Sequence, residues 1–267
     1  MTMLQKIRAN GVELGYRIDG APHAAPWVVL SHSLACDHTM WNPQMEALRD
    51  FRLLRFDTRG HGASEAPVGQ YAMDQLAADA HALLDALGIE RFHFVGLSMG
   101  GMIGQQLALR IPLRMATLTL ADTTSRYPAE ARPVWEQRIA LVRAQGMGAL
   151  VPTTLERWFT AAFRERHIDT VAGIAARIRA TPVAGYIGCA HAVKTHDALD
   201  RLPQITVPTL IIVGEEDPGA PVSAAEAMRE QIPGSELVTL ASASHLSSLE
   251  QADAFNQALL AFVARVP

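Results

Sequence analysis

Cysteine is almost absent from this sequence: two in 267 residues, Cys36 and Cys189. Their separation fits no metal-binding or redox spacing, so we expect a reduced, cytoplasmic chain. Charge is sparse too, at 19% of residues with a net −4, which leaves no basic field to attract nucleic acid or an anionic membrane. No run approaches roughly 18 uninterrupted apolar residues, which argues against a membrane span. The opening MTMLQKIRANG has no long apolar segment of the secretory kind. Internal repeats and low-complexity tracts are missing. So is G-x-x-x-x-G-K-[ST], which removes the main support for nucleotide binding.

What the chain does have is apolar surface. Hydrophobic residues make up 49%, enough to bury a substantial core in an ordinary globular domain. They fall into strand-like runs: WVVLSHS (27–33), FRLLRFDT (51–58), RFHFVGL (91–97), MATLTLAD (115–122), TLIIVGE (209–215) and ELVTLAS (236–242). Runs this continuous suit strands buried on both faces. Residues 4–18 read as a hairpin turning at Asn10-Gly11. Helical spacing appears over 74–88 with Gly88 following as a stop, over Met99–Arg110 before Ile111-Pro112, and over Glu250–Val263. The alternation predicts an α/β fold with a mostly parallel sheet flanked by helices. Residues 125–200 interrupt it with short helical patterns and no convincing strand. We therefore expect one domain, with a core of 1–124 and 201–267 and a helical cap at about 125–200.

One short stretch concentrates the chemistry. Gly96-Leu97-Ser98-Met99-Gly100 matches G-x-S-x-G and lies between a predicted strand and a predicted helix, the context the motif requires. On so tight a turn the flanking positions have no room for a Cβ, and the serine hydroxyl is lifted clear of the sheet. The competing reading is a structural turn in which the serine merely caps the helix. A serine nucleophile needs a histidine base, and among ten histidines His245 alone follows the last strand and precedes the closing helix. His32 and His61 belong to loops that they would support, while His81 and His93 lie inside a helix and a strand. For the orienting acid, Asp217 in Gly214-Glu215-Glu216-Asp217-Pro218 is favoured by chain order and by its Gly/Pro loop. Asp122, after the preceding strand, is the alternative. Oxyanion donors are expected at the backbone N–H of Met99 and of Leu34, although a buried loop leucine would look the same. Asp57-Thr58-Arg59-Gly60-His61-Gly62-Ala63-Ser64 looks catalytic, but we read Asp57 and Arg59 as braces of a Gly-rich loop.

With those residues placed, the chain resembles the α/β-hydrolase superfamily along its length, and within it the 3-oxoadipate enol-lactonases. The resembling stretches are SHSLACDHTMWNPQ (31–44), LLRFDTRGHGASEAP (53–67), FVGLSMGGMIGQQLA (94–108), GEEDPGAP (214–221) and SHLSSLEQADAFNQAL (244–259). RWFTAAF (157–163) and ATPVAGYIGCAHAV (180–193) in the cap point to the lactonase branch. The resemblance implies an α/β-hydrolase fold, Ser98, Asp217 and His245 as the catalytic triad, Leu34 and Met99 as oxyanion donors, and no cofactor or metal. It also implies a small-molecule lactone or ester substrate, degraded as part of aromatic-compound breakdown. Two departures stand out: His32-Ser33 where much of the superfamily has His-Gly, and ASASH where a glycine often precedes the histidine. An enol-lactone carries a free carboxylate, which calls for an arginine. Arg138 and Arg157 are candidates, each beside an aromatic residue, and Trp135, Trp158 and Tyr186 are candidate pocket walls. A solvated helix arginine and cap-packing aromatics are the plain alternatives.

Other chemistries on this scaffold remain in view. A general carboxylesterase, a perhydrolase and a carbon–carbon bond hydrolase of ring-cleavage products all use serine. An aspartate-nucleophile dehalogenase or epoxide hydrolase is excluded by Ser98. A ligand-binding receptor would have no need to keep serine, histidine and aspartate together.

Overall fold

The computed structural model describes residues 3–21 and 25–266. Among the described residues eight strands make one sheet: β1 (Gln5–Ala9), β2 (Val12–Gly20), β3 (Trp27–Ser31), β4 (Arg52–Phe56), β5 (Phe92–Leu97), β6 (Met115–Ala121), β7 (Thr209–Gly214) and β8 (Glu236–Leu240). Their order is β1-β2-β4-β3-β5-β6-β7-β8. The first two form the antiparallel hairpin turning at Asn10-Gly11, β2 joins β4 antiparallel, and every later pairing is parallel. The central strands β5, β6 and β7 are buried at every residue, as continuous apolar runs between two helical layers should be. The outermost β8 departs from that expectation. It pairs on one side only, and its first four residues are exposed or half-buried.

Among the described residues ten α-helices accompany the sheet: α1 (Met73–Ala86), α2 (Met99–Arg110), α3 (Arg132–Gln145), α4 (Val151–Trp158), α5 (Ala161–Arg166), α6 (Ile168–Ala180), α7 (Val183–Thr195), α8 (Val222–Gln231), α9 (Ser247–Glu250) and α10 (Ala252–Val263). α1 stops where Gly88 takes φ +65°, the left-handed geometry that ends a helix without a Cβ penalty. α2 stops at Ile111, which adopts φ −134° and ψ +50° because the following Pro112 disfavours the helical region. The closing helix starts later than its periodicity suggests. Gln251, at φ −125° and ψ +52°, separates the single turn α9 from α10. Helices α3 to α7 all lie between β6 and β7, so the sheet is interrupted only in chain order, not in space. Among the described residues no helix is long and apolar enough to cross a membrane.

From β3 the chain moves outward to β4 and then returns to β5 on the other side of β3. Such a reversal opens a crevice beyond the carboxyl ends of the strands, where ligands of open α/β sheets bind.

Candidate active site

Ser98 occupies the turn from β5 into α2, with φ +56° and ψ −115°. A non-glycine residue there is strained, and the surroundings enforce it. A Cβ on Gly96 would fall 2.2 Å from the carbonyl oxygen of Gly100, and one on Gly100 would fall 2.1 Å from that of Ser31. A Cβ on Gly101 would fall 2.6 Å from the Thr123 side chain. Although Ser98 stands at the N-cap position, its side chain caps nothing, which sets aside the capping alternative. Its Oγ lies 2.9 Å from Nε2 of His245 instead.

His245 arrives from the loop after β8, and its Nδ1 lies 2.7 Å from Oδ2 of Asp217. The other carboxylate oxygen, Oδ1, accepts the N–H groups of Gly219 (2.7 Å) and Ala220 (3.1 Å), so the Gly/Pro loop aims the acid. Burial pushes the imidazole toward lower pKa, but the Asp217 charge and hydrogen bond outweigh it. The net result is a histidine held above its ordinary value. Glu215 and Glu216 are exposed. Asp122 is turned from the imidazole. Its Oδ1 accepts the Gly214 N–H (2.8 Å), while Oδ2 lies 2.6 Å from the Ser247 hydroxyl and 3.3 Å from its N–H. Burial, and next the nearby Asp217 charge, push its carboxyl up to about 8.

Leu34 lies in a tight turn in which the Cys36 N–H donates to the Ser33 carbonyl (3.1 Å) and Ala35 takes φ +62°. Among the described residues, the N–H groups of Leu34 and Met99 have no acceptor in the protein. Loop 57–64 is braced heavily. Asp57 accepts the His38 N–H and the Ala63 N–H and pairs with the His38 ring (2.8 Å), and Arg59 grips Asp79 through two bonds of 2.6 and 2.7 Å. Nε2 of His32 accepts the Thr58 N–H at 2.9 Å, which places the ring proton on Nδ1, beside the Ser33 carbonyl at 2.7 Å.

A cavity of about 370 Å³ lies over Ser98, with Leu34 and His245 in its floor and the helical insertion as its roof. Trp158 is buried and lies near-parallel to His245, ring centroids 6.1 Å apart. Arg138 is fixed by Nε to the Tyr186 hydroxyl (3.2 Å) and by Nη2 to Thr154 Oγ1 (3.1 Å), and its guanidinium stands 5.6 Å from the Trp135 ring. Trp135 itself is half-buried, edge-on to Tyr127. Arg157 is exposed at the rim. Sequence reasoning missed Tyr127 and Thr154, which line the same cavity. The Tyr127-Pro128 turn just after β6 is the signal that could have drawn attention to the first; a lone helical threonine gives none. Among the described residues no cluster of three or more His, Cys, Asp or Glu is placed to hold a metal ion.

The family described as alpha/beta hydrolase fold matches residues 26–252. The chain is 37% identical to 3-oxoadipate enol-lactonase 2 of Acinetobacter baylyi over 97% of its own length and 96% of that protein's. Among solved structures, the enol-lactonase from Burkholderia xenovorans LB400 superposes with a TM-score of 0.94 at 42% identity. That match covers 97% of this chain and all of the other. A hydrolase from Pseudomonas aeruginosa PA01 gives 0.92 at 40%, over 97% and 98% of the two chains.

Proposed function

The chain belongs to the alpha/beta hydrolase fold family, and from that premise we propose that it is a serine hydrolase opening an enol-lactone of the 3-oxoadipate type. The observation that carries the proposal is the continuous relay Ser98–His245–Asp217 under a cap-roofed cavity. Residues 1–124 and 201–267 act as the catalytic core and 125–200 as the cap. The substrate class is supported by the likeness to enol-lactonases and by Arg138, a guanidinium held ready in the roof.

The lactone enters with its carbonyl over Ser98. Nε2 of His245 takes the hydroxyl proton as Oγ attacks, and Asp217 keeps the imidazole in the productive tautomer and stabilises its charged form. The N–H groups of Leu34 and Met99 receive the developing oxyanion, and the start of α2 adds a favourable dipole. Collapse breaks the ring carbon–oxygen bond. The proton held on Nε2 of His245 passes to the leaving oxygen, which as an enolate needs little acid assistance and stays tethered to the acyl group. His245 then takes a proton from water as that water attacks the acyl-enzyme. The serine leaves with that proton, and the released enol tautomerises to a keto acid. Arg138 pairs with the free carboxylate of the substrate, while Trp135, Trp158 and Tyr186 wall the ring.

Turnover of 3-oxoadipate enol-lactone measured beside a p-nitrophenyl ester tests both halves of this reading. We expect kcat/KM to favour the lactone by about 10² or more, a difference typical of remote binding contacts used at the reacting centre. Ser98→Ala should abolish both activities in a folded protein. Ester turnover alone would demote the chain to a general esterase, and an active Ser98→Ala variant would end the serine scheme.

A further inference from the structure

Loop 57–64 lies outside the relay, yet it touches both the turn that carries Leu34 and the cap. On one side is His61, whose side chain has no access to solvent. Its Nε2 accepts the N–H of Ala35 at 2.9 Å. A ring nitrogen that accepts must be unprotonated, so the proton sits on Nδ1, which lies 3.3 Å from the Arg59 carbonyl. Burial, and next the neighbouring His32, push His61 down to about 3, in keeping with a ring that stays neutral. Ala35 is the turn residue at φ +62°, a conformation that an alanine does not adopt unaided. Leu34 is therefore held between two anchors: the Cys36–Ser33 bond that closes the turn and the His61–Ala35 bond that fixes its strained member.

On the other side is α7. Its small residues Gly185, Gly188 and Cys189 fall at i, i+3 and i+4, on one face of the helix. A Cβ at Gly185 would lie 2.0 Å from the Gly60 carbonyl oxygen, and one at Gly188 would lie 2.6 Å from the Tyr71 ring. The Gly188 carbonyl accepts the Tyr71 N–H at 3.1 Å. The Cys189 thiol donates to the Arg59 carbonyl at 3.3 Å, with its sulfur 3.9 Å from Nδ1 of His61. Tyr186, on the same helix, faces the cavity and holds Arg138. The run Gly-Tyr-Ile-Gly-Cys thus has two duties, docking by its small face and lining the cavity by its tyrosine.

We propose that His61 is a positioning residue for the oxyanion turn, and that the docking of α7 on Gly60 sets cap and turn together through it. The inference rests on the acyl-enzyme reading, since it concerns the donor Leu34. The cap residue that meets the substrate and the peptide that meets the oxyanion are then two ends of one short path: Tyr186, Gly185 against Gly60, His61, Ala35.

The test compares His61→Ala, His61→Gln, Gly185→Ala and the double variant His61→Ala/Gly185→Ala on p-nitrophenyl acetate, a substrate too small to use cap contacts. Circular dichroism and thermal melting monitor folding. Loss of one oxyanion donor costs about 10²–10³ in kcat, and mispositioning it should cost about tenfold or more. We expect His61→Ala to lower kcat by that factor with KM within threefold, and His61→Gln, which can return an acceptor at similar reach, to recover most of it. Gly185→Ala should lower kcat by a similar factor, and the double variant should be no slower than the slower single one, the mark of a shared path. A purely structural role would lower the melting temperature and leave kcat in place. A folded His61→Ala with kcat within twofold overturns the proposal, and so do single effects that multiply in the double variant. If His61→Ala does not fold, an impaired His61→Gln with Gly185→Ala unimpaired overturns the cap link. A Gly185→Ala that loses kcat beside a near-normal His61→Gln supports it. Ser98→Ala in the same series separates the two readings: turnover by it overturns the acyl-enzyme scheme, whereas its inactivity beside an unimpaired His61→Ala overturns only the positioning role.

Discussion

Two buried aspartates stand near His245, and their surroundings give them different tasks. Asp217 accepts from the imidazole and from two backbone N–H groups, so its charge is needed where it is. Asp122, pushed up to about 8, holds a proton through neutral pH and ties Gly214 to Ser247 as a neutral acid. An asparagine at 122 keeps the oxygen that accepts from Gly214 and can turn its amide to the Ser247 hydroxyl, losing only the longer contact (3.3 Å) from the Ser247 N–H. Asp122→Asn should therefore keep kcat within about twofold at pH 7, whereas Asp217→Asn should lose about 10⁴, the scale seen when a triad loses its orienting charge. Linkage adds a second readout. The folded value of Asp122 lies above its ordinary 3.8, so its contribution is fully present below that value and is lost as pH rises through about 8. The melting temperature of Asp122→Asn should accordingly fall less than that of the parent between pH 5 and 9, a window set by that shift. For catalysis the sign runs through His245. Its raised value means the neutral base appears only at higher pH, so the acidic limb of kcat/KM should sit above the ordinary 6.5 and drop in Asp217→Asn.

The short elements around His245 act as a clasp between core and cap. Glu250, at the end of α9, accepts the Thr160 N–H and hydroxyl (2.8 and 2.9 Å) with one oxygen and the Ser244 N–H (2.5 Å) with the other. The Ser244 hydroxyl donates to the Arg157 carbonyl (2.9 Å), and the Leu246 N–H to that of Trp158 (3.1 Å). The residues on both sides of His245 are thus bonded to the end of α4, whose Trp158 covers the imidazole. Glu250→Ala strips two backbone donors of their acceptor, which should cost about 1–3 kcal/mol of stability. It should also lower kcat by about tenfold, since a histidine that drifts from Ser98 loses part of its alignment. Thermal melting with single-turnover acylation checks both, and an unchanged acylation rate would make the clasp structural only. None of this was legible in the sequence. Thr160 and Glu250 lie 90 residues apart, and a glutamate at a helix end reads as a solvated face. The elbow was legible, because G-x-S-x-G carries its own strand and helix and because backbone contacts near 2 Å forbid any other residue at Gly96 and Gly100.

At the scale of the molecule, the sheet was readable because strands such as FHFVGL and TLIIVG are nearly continuous apolar runs, the pattern that suits a doubly covered parallel sheet. The cap was readable as an insertion but not in its packing. Its α7 docks through small residues and buried hydrogen bonds rather than a long apolar stripe, and has no dominant face in its sequence. What the linear sequence does carry is a charge division between the two parts. Residues 125–200 hold ten Lys and Arg against seven Asp and Glu, in a chain whose total is −4, so the cap is +3 and the remainder −7. Arg126 is occupied by Asp197 and Asp200, but Arg138 reaches only neutral hydroxyls and Arg157 stands exposed at the rim. A positive roof over a negative base focuses its field at the cavity mouth, where it should draw an anionic lactone and ignore a neutral ester. Ionic strength then separates steering from fit. At 0.01 M the screening length is about 30 Å and the whole cap contributes; near 1 M it is about 3 Å and only direct contact remains. The kcat/KM for the anionic lactone should therefore fall severalfold across that range while that for p-nitrophenyl acetate stays flat. Arg157→Gln should weaken that salt dependence, because it removes a positive charge from the cavity lining. Equal salt dependence for the two substrates would show that the division of charge has no part in substrate capture.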